Sequence, residues 1–265
     1  MAPYLGEPPL ALAHRGGSGL SDNLGLENTL AAFGRAVSLG YRYLETDVHA
    51  TADGHLVAFH DERLDRVTDT RGAIADLTLA QVKTARVGGG EAIPTMGELF
   101  EAFPDARFNI DIKAPSATTL LWRLIDTTGV HDRVCVGSFS NRRLWRFRRL
   151  ARGRVATSSG RLGVIALRFL PTWACRVVHT PAVAYQVPWT VGTGARRLTV
   201  VTDGFLRRAH ALGKQVHVWT IDDPDQMRHL LDRGVDGIVT DRPDLLRDVL
   251  RERGLWTERC GTPSS

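Results

Sequence analysis

The chain has 265 residues, 43% of them hydrophobic, with 34 basic against 29 acidic side chains and a net charge of +5. That apolar share excludes a disordered chain and suffices for one large core, since α/β barrels of this length stay undivided. No apolar run reaches the roughly 18 residues that cross a bilayer. Met1–Pro9 has neither the basic cluster nor the apolar stretch of a secretory leader, so a cytoplasmic location is expected. The three cysteines, Cys135, Cys175 and Cys260, are odd in number and follow no motif spacing, which predicts reduced thiols.

Short apolar runs alternate with longer segments of helical period, a rhythm that predicts βα units and a parallel sheet. Strands are expected at 10–14, 43–48, 107–113, 133–138, 154–158, 183–187, 215–220 and 237–241. Helices are expected at 27–39, 95–103, 117–128, 141–150, 203–212, 223–233 and 243–253. Glu27 or Asn28 opens the first helix, and Gly40 closes it as a C-terminal glycine does. Eight strands with intervening helices predict a (β/α)₈ TIM barrel, with a doubly wound sheet as the alternative. Residues 61–94 break the rhythm with polar and glycine-rich sequence and are read as an insertion after the second strand. Residues 1–265 form one domain on this reading, with a disordered tail over 257–265.

Polar residues gather at the expected strand ends. His14 closes the first run, and Glu45 and Asp47 lie two apart on the second, hence on one face. Paired carboxylates repel unless a cation lies between them, and inward carboxylates in a barrel are costly unless bound. Asp111 and Lys113 repeat the spacing on the third strand. Three carboxylates suit a hard divalent cation, calcium or magnesium, whereas zinc lacks its Cys/His set. His14 and His60 are the acid/base candidates, because imidazole exchanges protons near neutral pH. The remaining histidines lack a supporting motif, and His49, His55 and His131 are read as surface residues.

The runs His14-Arg15-Gly16, Glu27-Asn28-Thr29, Glu45-Thr46-Asp47, Asp53-Gly54 and His60-Asp61 resemble the glycerophosphodiester phosphodiesterases. So do Asn109-Ile110-Asp111-Ile112-Lys113, Ser138-Phe139-Ser140, Trp219-Thr220 and Gly234 to Asp241, all in family order. Two positions depart: Leu26 stands where the family has Pro, and Asp111 where it has Glu. The resemblance implies metal-dependent cleavage of a glycerophosphodiester to glycerol 3-phosphate and an alcohol, with His14 and His60 catalytic. Glu45, Asp47 and Asp111 are then the metal set. Arg15 and Lys113 are placed to grip the phosphate, with a salt bridge from Arg15 to Glu45 as the alternative. Trp219, at a strand end toward the same mouth, walls the substrate pocket or is a core aromatic. Glu27 and Asn28 then support or cap. Lysophospholipase D-type cleavage of lyso-glycerophospholipids and a catalytically inactive phosphodiester-binding barrel are the alternatives.

Between Asp132 and Asp203 there is no Asp or Glu. Within this stretch Leu144, Phe147 and Ala151 share one helix face and arginines take the other, followed by the apolar segment 162–178. A basic outer helix and an apolar segment packed on the barrel account for this. The alternative is a peripheral membrane patch across 141–178, with Phe169 and Trp173 in the lipid interface. No nucleic-acid recognition motif is present.

Overall fold

The apolar runs become eight parallel strands in a computed structural model that describes residues 3–177 and 180–256. They are β1 (Leu10–His14), β2 (Tyr43–Ala50), β3 (Arg107–Ile112), β4 (Val134–Gly137), β5 (Ala156–Thr157), β6 (Ala184–Pro188), β7 (Gln215–Trp219) and β8 (Gly237–Thr240). Their order in the sheet is β5-β4-β3-β2-β1-β8-β7-β6. A parallel bridge between Ser158 and Ala184 joins the two ends. There the Val183 N–H donates to the Thr157 carbonyl at 2.9 Å and the Ser159 N–H to the Ala184 carbonyl at 2.8 Å. The closed parallel barrel is the fold expected from the sequence, and its eight strands differ from expectation only at their ends, while a further short strand, Leu56–Ala58, pairs antiparallel with β2.

Period-two alternation sends one set of side chains inward. At the N-terminal end of the barrel, Leu10, Leu12, Tyr43, Cys135 and Val239 pack around Tyr4. The Tyr4 carbonyl accepts from the Tyr43 hydroxyl and the Arg107 guanidinium, both at 3.0 Å, so the N-terminal segment plugs that end. Above this layer runs a polar line. Gln186 donates to Asn109 at 2.9 Å, and His217 lies 3.4 Å from Gln186 and 2.9 Å from Gln215. Burial pushes the His217 imidazole down to about 4, so it stays neutral there. The outward set, including Leu44, Val48, Phe108 and Ile110, packs against the helices. In the helix Asn141–Ala151 the buried face is Leu144, Phe147 and Ala151, as the spacing predicts.

Three expectations change, and the insertion gains its detail. The first helix spans Leu30–Ser38 and is capped by Thr29, whose hydroxyl accepts from the Ala32 N–H, and neither Glu27 nor Asn28 opens it. The apolar segment after residue 160 is two short helices, Arg161–Phe169 and Thr172–Val177. Among its large apolar side chains Leu167 is fully buried, while Phe169 and Trp173 are 63% and 71% exposed, so the segment is only partly packed. His49 is buried, not on the surface, and its Nε2 lies 3.1 Å from the His60 carbonyl. Residues 61–94 hold three single-turn helices and a two-residue hairpin, packed as Leu64, Ile74, Val82, Ala85, Val87 and Ile93 on Val57 and Phe59. Cys135 and Cys175 are buried free thiols. Cys260 and the 257–265 tail lie outside the described residues. No helix among the described residues is long and apolar enough to cross a membrane.

Candidate active site

The turn after β1 is built by glycine. A Cβ on Gly16, at φ +85°, would meet the backbone of Ala32 and Phe33 at 2.9 Å. A Cβ on Gly17 would stand 2.5 Å from Pro243. This close approach seats the turn against the first helix and lets Arg15 and Asn28 adopt left-handed backbone, at φ 50° and 60°. The strained pair is held together by the Asn28 N–H donating to the Arg15 carbonyl at 2.9 Å. Asn28 in turn accepts from the Thr46 hydroxyl at 2.7 Å, and its amide reaches Asp47 at 3.4 Å.

Parallel register then sets the neighbours. His14 pairs with Glu45, and Asp47 with Asp111. Asp47, almost wholly enclosed, faces Lys113 Nζ at 2.9 Å and Arg15 Nε at 3.3 Å. Burial would raise its pKa, but Lys113, Arg15 and His60 outweigh that and hold the carboxyl below its ordinary value. Glu45 has no such cation. Its nearest groups are the Arg15 N–H at 3.3 Å and His14 Nε2 at 3.8 Å. Burial and the Asp47 charge push it up to about 7. Arg15 thus serves Asp47 and Glu27 (3.2 Å) with its guanidinium, and Glu45 with its backbone.

Each catalytic-candidate histidine has its own aspartate. His14 Nδ1 lies 2.8 Å from Asp241, which also accepts from the Ser18 hydroxyl at 2.5 Å. Burial opposes charge on His14, but Glu45 and Asp241 outweigh it and raise the imidazole pKa. His60 Nδ1 lies 2.6 Å from Asp61, which accepts from Arg66 Nε at 2.5 Å. Burial works against that carboxylate, yet Arg66 and His60 pull Asp61 down to about 2. Arg66 also grips Glu27 at 2.6 Å, and Glu27 holds Arg15. Next to His60, alternating charges therefore run without a break from Asp61 through Arg66, Glu27, Arg15 and Asp47 to Lys113 and Asp111.

Lys113 Nζ sits 2.8 Å from Asp111 and 5.6 Å above the Phe139 ring. Phe139 meets Trp219 edge to face at 5.6 Å, and both line the same mouth. Both Asp111 oxygens are buried without a well-directed hydrogen-bond donor, despite the nearby ammonium. Orphaned carboxylate oxygens beside Glu45 and Asp47 suit a hard cation in donor chemistry. As they stand, no three His, Cys, Asp or Glu side chains among the described residues form a group able to hold a metal ion. The Lys113 ammonium occupies the place between Asp47 and Asp111.

All ten residues singled out from the sequence, from His14 to Trp219, gather around this one end of the barrel. Asp241, Ser18, Arg66 and Gln186 were not singled out for the site. Asp241 carried one signal, its place at a strand end; Ser18 and Gln186 carried none, because their partners are far away in sequence, and Arg66, five residues from Asp61, lay in a segment with no readable period.

The chain is similar in sequence and fold to known proteins. Residues 14–245 match the Glycerophosphoryl diester phosphodiesterase family. A probable glycerophosphodiester phosphodiesterase 2 of Mycobacterium tuberculosis is 43% identical, over 93% of this chain and 92% of its own. A glycerophosphodiester phosphodiesterase of Caldanaerobacter subterraneus is 31% identical, over 92% of this chain and 99% of its own. In fold, the chain matches a phosphodiesterase of Oleispira antarctica, solved with the product sn-glycerol-3-phosphate, at a TM-score of 0.77. That match has 24% identity and covers 92% of this chain and 97% of the other. The chain belongs to the glycerophosphoryl diester phosphodiesterase family.

Proposed function

We propose that this chain hydrolyses glycerophosphodiesters to glycerol 3-phosphate and an alcohol, with a divalent cation held by Glu45, Asp47 and Asp111. The observation that carries the reading is the meeting of two His–Asp pairs, three buried carboxylates and two cationic side chains around one mouth. A bound calcium or magnesium ion would offset charge on the phosphate. Arg15 and Lys113 bind its non-bridging oxygens, Lys113 turning from the Asp47–Asp111 gap to do so. Phe139 and Trp219 wall the substrate pocket, and Glu27 and Asn28 hold Arg15 and Asp47 in place.

His14 acts as the general acid, since Asp241 and Glu45 favour its protonated form. It gives its proton to the leaving alkoxide oxygen as the P–O bond breaks. His60 takes the proton of the attacking hydroxyl, with Asp61 fixing its ring. The short Asp111 side chain favours calcium, whose coordination is looser than magnesium's octahedron. We treat the chain as one catalytic domain in which the 61–94 insertion supplies Asp61 and Arg66.

Glycerophosphocholine is the test substrate. Turnover that EDTA abolishes, and that less calcium than magnesium restores, is the expected result. No metal-dependent turnover on any diester overturns the activity, and half-saturation at lower magnesium overturns the ion preference.

Peripheral membrane contact has one observation in its favour: Leu162, Phe169 and Trp173 are exposed on helices that also carry Arg161, Arg168 and Arg176. Salt-sensitive sedimentation with anionic vesicles, lost in Trp173→Ser, is expected. No binding at low salt removes that contact. A cytoplasmic location accords with the two free buried thiols, and cell fractionation tests it.

A further inference from the structure

The arginines of the helix Asn141–Ala151 do not all belong to its solvated face. Arg142, Arg146 and Arg149 are exposed, but Arg143, in the first turn, folds back toward the barrel and is only partly exposed. Its Nε donates to the Ser138 hydroxyl oxygen at 3.0 Å, and its Nη1 donates to the Lys113 carbonyl. The Ser138 hydroxyl in turn donates to the Ile112 carbonyl at 2.9 Å and accepts from the Ser140 N–H at 3.3 Å. Both carbonyls lie where the sheet gives out. The pairing of β3 with β4 ends at Asp111 and Gly137, short of Ile112 and Lys113, and side chains take over there. On the other side the Lys113 N–H donates to the Val48 carbonyl at 3.1 Å. The Lys113 backbone is thus held from both sides at the last point before the chain turns into Ala114 and Pro115. The same tie fixes the turn of Ser138 to Ser140, from which the Phe139 ring stands 5.6 Å from Lys113 Nζ.

We infer that Arg143 is a positioning residue for the hydrolysis, acting through Lys113. The inference rests on the phosphate-binding role proposed for Lys113 and adds a residue that does not itself line the mouth. A lysine whose ammonium turns between two carboxylates and a phosphate has a flexible four-carbon stem, so only a fixed backbone sets where its charge can reach. Misplacing such a group by about 1 Å costs up to about 10²-fold in rate. A planar guanidinium spans two acceptors, the Ser138 hydroxyl and the Lys113 carbonyl, in one geometry, which a single ammonium does not.

A double-mutant cycle in the full chain, assayed with glycerophosphocholine, tests this. Arg143→Met is expected to lower kcat/KM by about 10–100-fold, as lost supporting partners do. In a Lys113→Met background the same substitution should change kcat/KM by no more than about twofold, because its effect runs through the lysine. Arg143→Lys keeps the charge but not the span, and should stay close to Arg143→Met. Full recovery in Arg143→Lys would reduce the role to charge, and multiplicative losses in the double variant would make it independent of Lys113; either overturns the positioning. Lys113→Met at wild-type kcat/KM would fail the phosphate role itself, and the inference with it. If Arg143→Met does not fold, Ser138→Ala, which removes the shared hydroxyl and leaves both cations, carries the same cycle with the same criteria. If no diester turns over, calorimetric Kd values for sn-glycerol 3-phosphate read the cycle instead. Weakening by Arg143→Met that vanishes without Lys113 retains the positioning, and an unchanged Kd in Arg143→Met removes it.

Discussion

The two histidines of the mouth show one arrangement, an imidazole held by an aspartate, built in two ways. His14 and Asp241 stand at the ends of adjacent barrel strands, β1 and β8, and their meeting is fixed by the sheet register. His60 and Asp61 are sequence neighbours following a short strand, Leu56–Ala58, that pairs antiparallel with β2. The His14 side chain is 17% exposed and that of His60 33%. The first pair is therefore rigid because the barrel is closed. The second is held by Arg66, from the insertion, which ties Asp61 to Glu27, and by His49, whose Nε2 lies 3.1 Å from the His60 carbonyl. On the proposed roles, the buried, strand-borne histidine is an acid held in its charge state by its surroundings, and the histidine at the rim is a base accessible to an incoming nucleophile.

Removing either imidazole is the harshest way to break this comparison. His14→Ala and His60→Ala are each expected to lower kcat by about 10²–10⁴-fold, with metal affinity, read by calorimetry, close to wild type. The double variant falls little further, because the two groups act as a unit. The aspartates come next. Asp241→Asn and Asp61→Asn should each cost about 10–100-fold in kcat, as lost orienting partners do, with KM nearly constant.

Arg66→Ala separates the two pairs. It leaves the His14–Asp241 pair untouched and loosens Asp61 and Glu27, so a fall of about two- to fivefold is expected, the worth of partly exposed ion pairs. A loss as large as that of His60→Ala would mean that Arg66 itself contacts substrate. The smallest effect is on stability. The Asp61 carboxyl is lowered to about 2 from 3.8, so its contribution is present above pH 3.8 and disappears as pH falls through about 2. The Tm of Asp61→Asn should lie below wild type at neutral pH and converge on it at the acid end. A constant gap across that range would show that the pair adds nothing pH-dependent.

Much of this was legible in the sequence for physical reasons. A strand buried on both faces reads as a short apolar run, and polar residues interrupting such runs two apart, as Glu45 and Asp47 or Asp111 and Lys113 do, must share a face. That spacing alone sends the carboxylates to one face. What stayed hidden depends on distance along the chain. His14 and Asp241 are 227 residues apart, and Glu27 and Arg66 are 39 apart, so no local pattern announces either bond. The insertion shows in the sequence only as a break in rhythm because its elements are two to four residues long, too short for periodicity, while its apolar positions still build a small core. His49 looked like a surface residue because one polar side chain in a strand carries no sign of the carbonyl it meets. The first helix was misplaced by two acidic and amide residues that serve the site, when Thr29 beside them was the cap.

The division of labour between the two pairs is tested most directly by changing the leaving group. With glycerophosphocholine the departing choline alkoxide needs a proton, whereas the nitrophenolate of glycerol 3-phospho-p-nitrophenol departs without one. His14→Ala, having lost the acid, should show its 10²–10⁴-fold loss on glycerophosphocholine and recover to within about tenfold of wild type on the nitrophenyl ester, while His60→Ala stays impaired on both. Equal loss for His14→Ala on the two substrates, or rescue of His60→Ala in its place, would contradict the account.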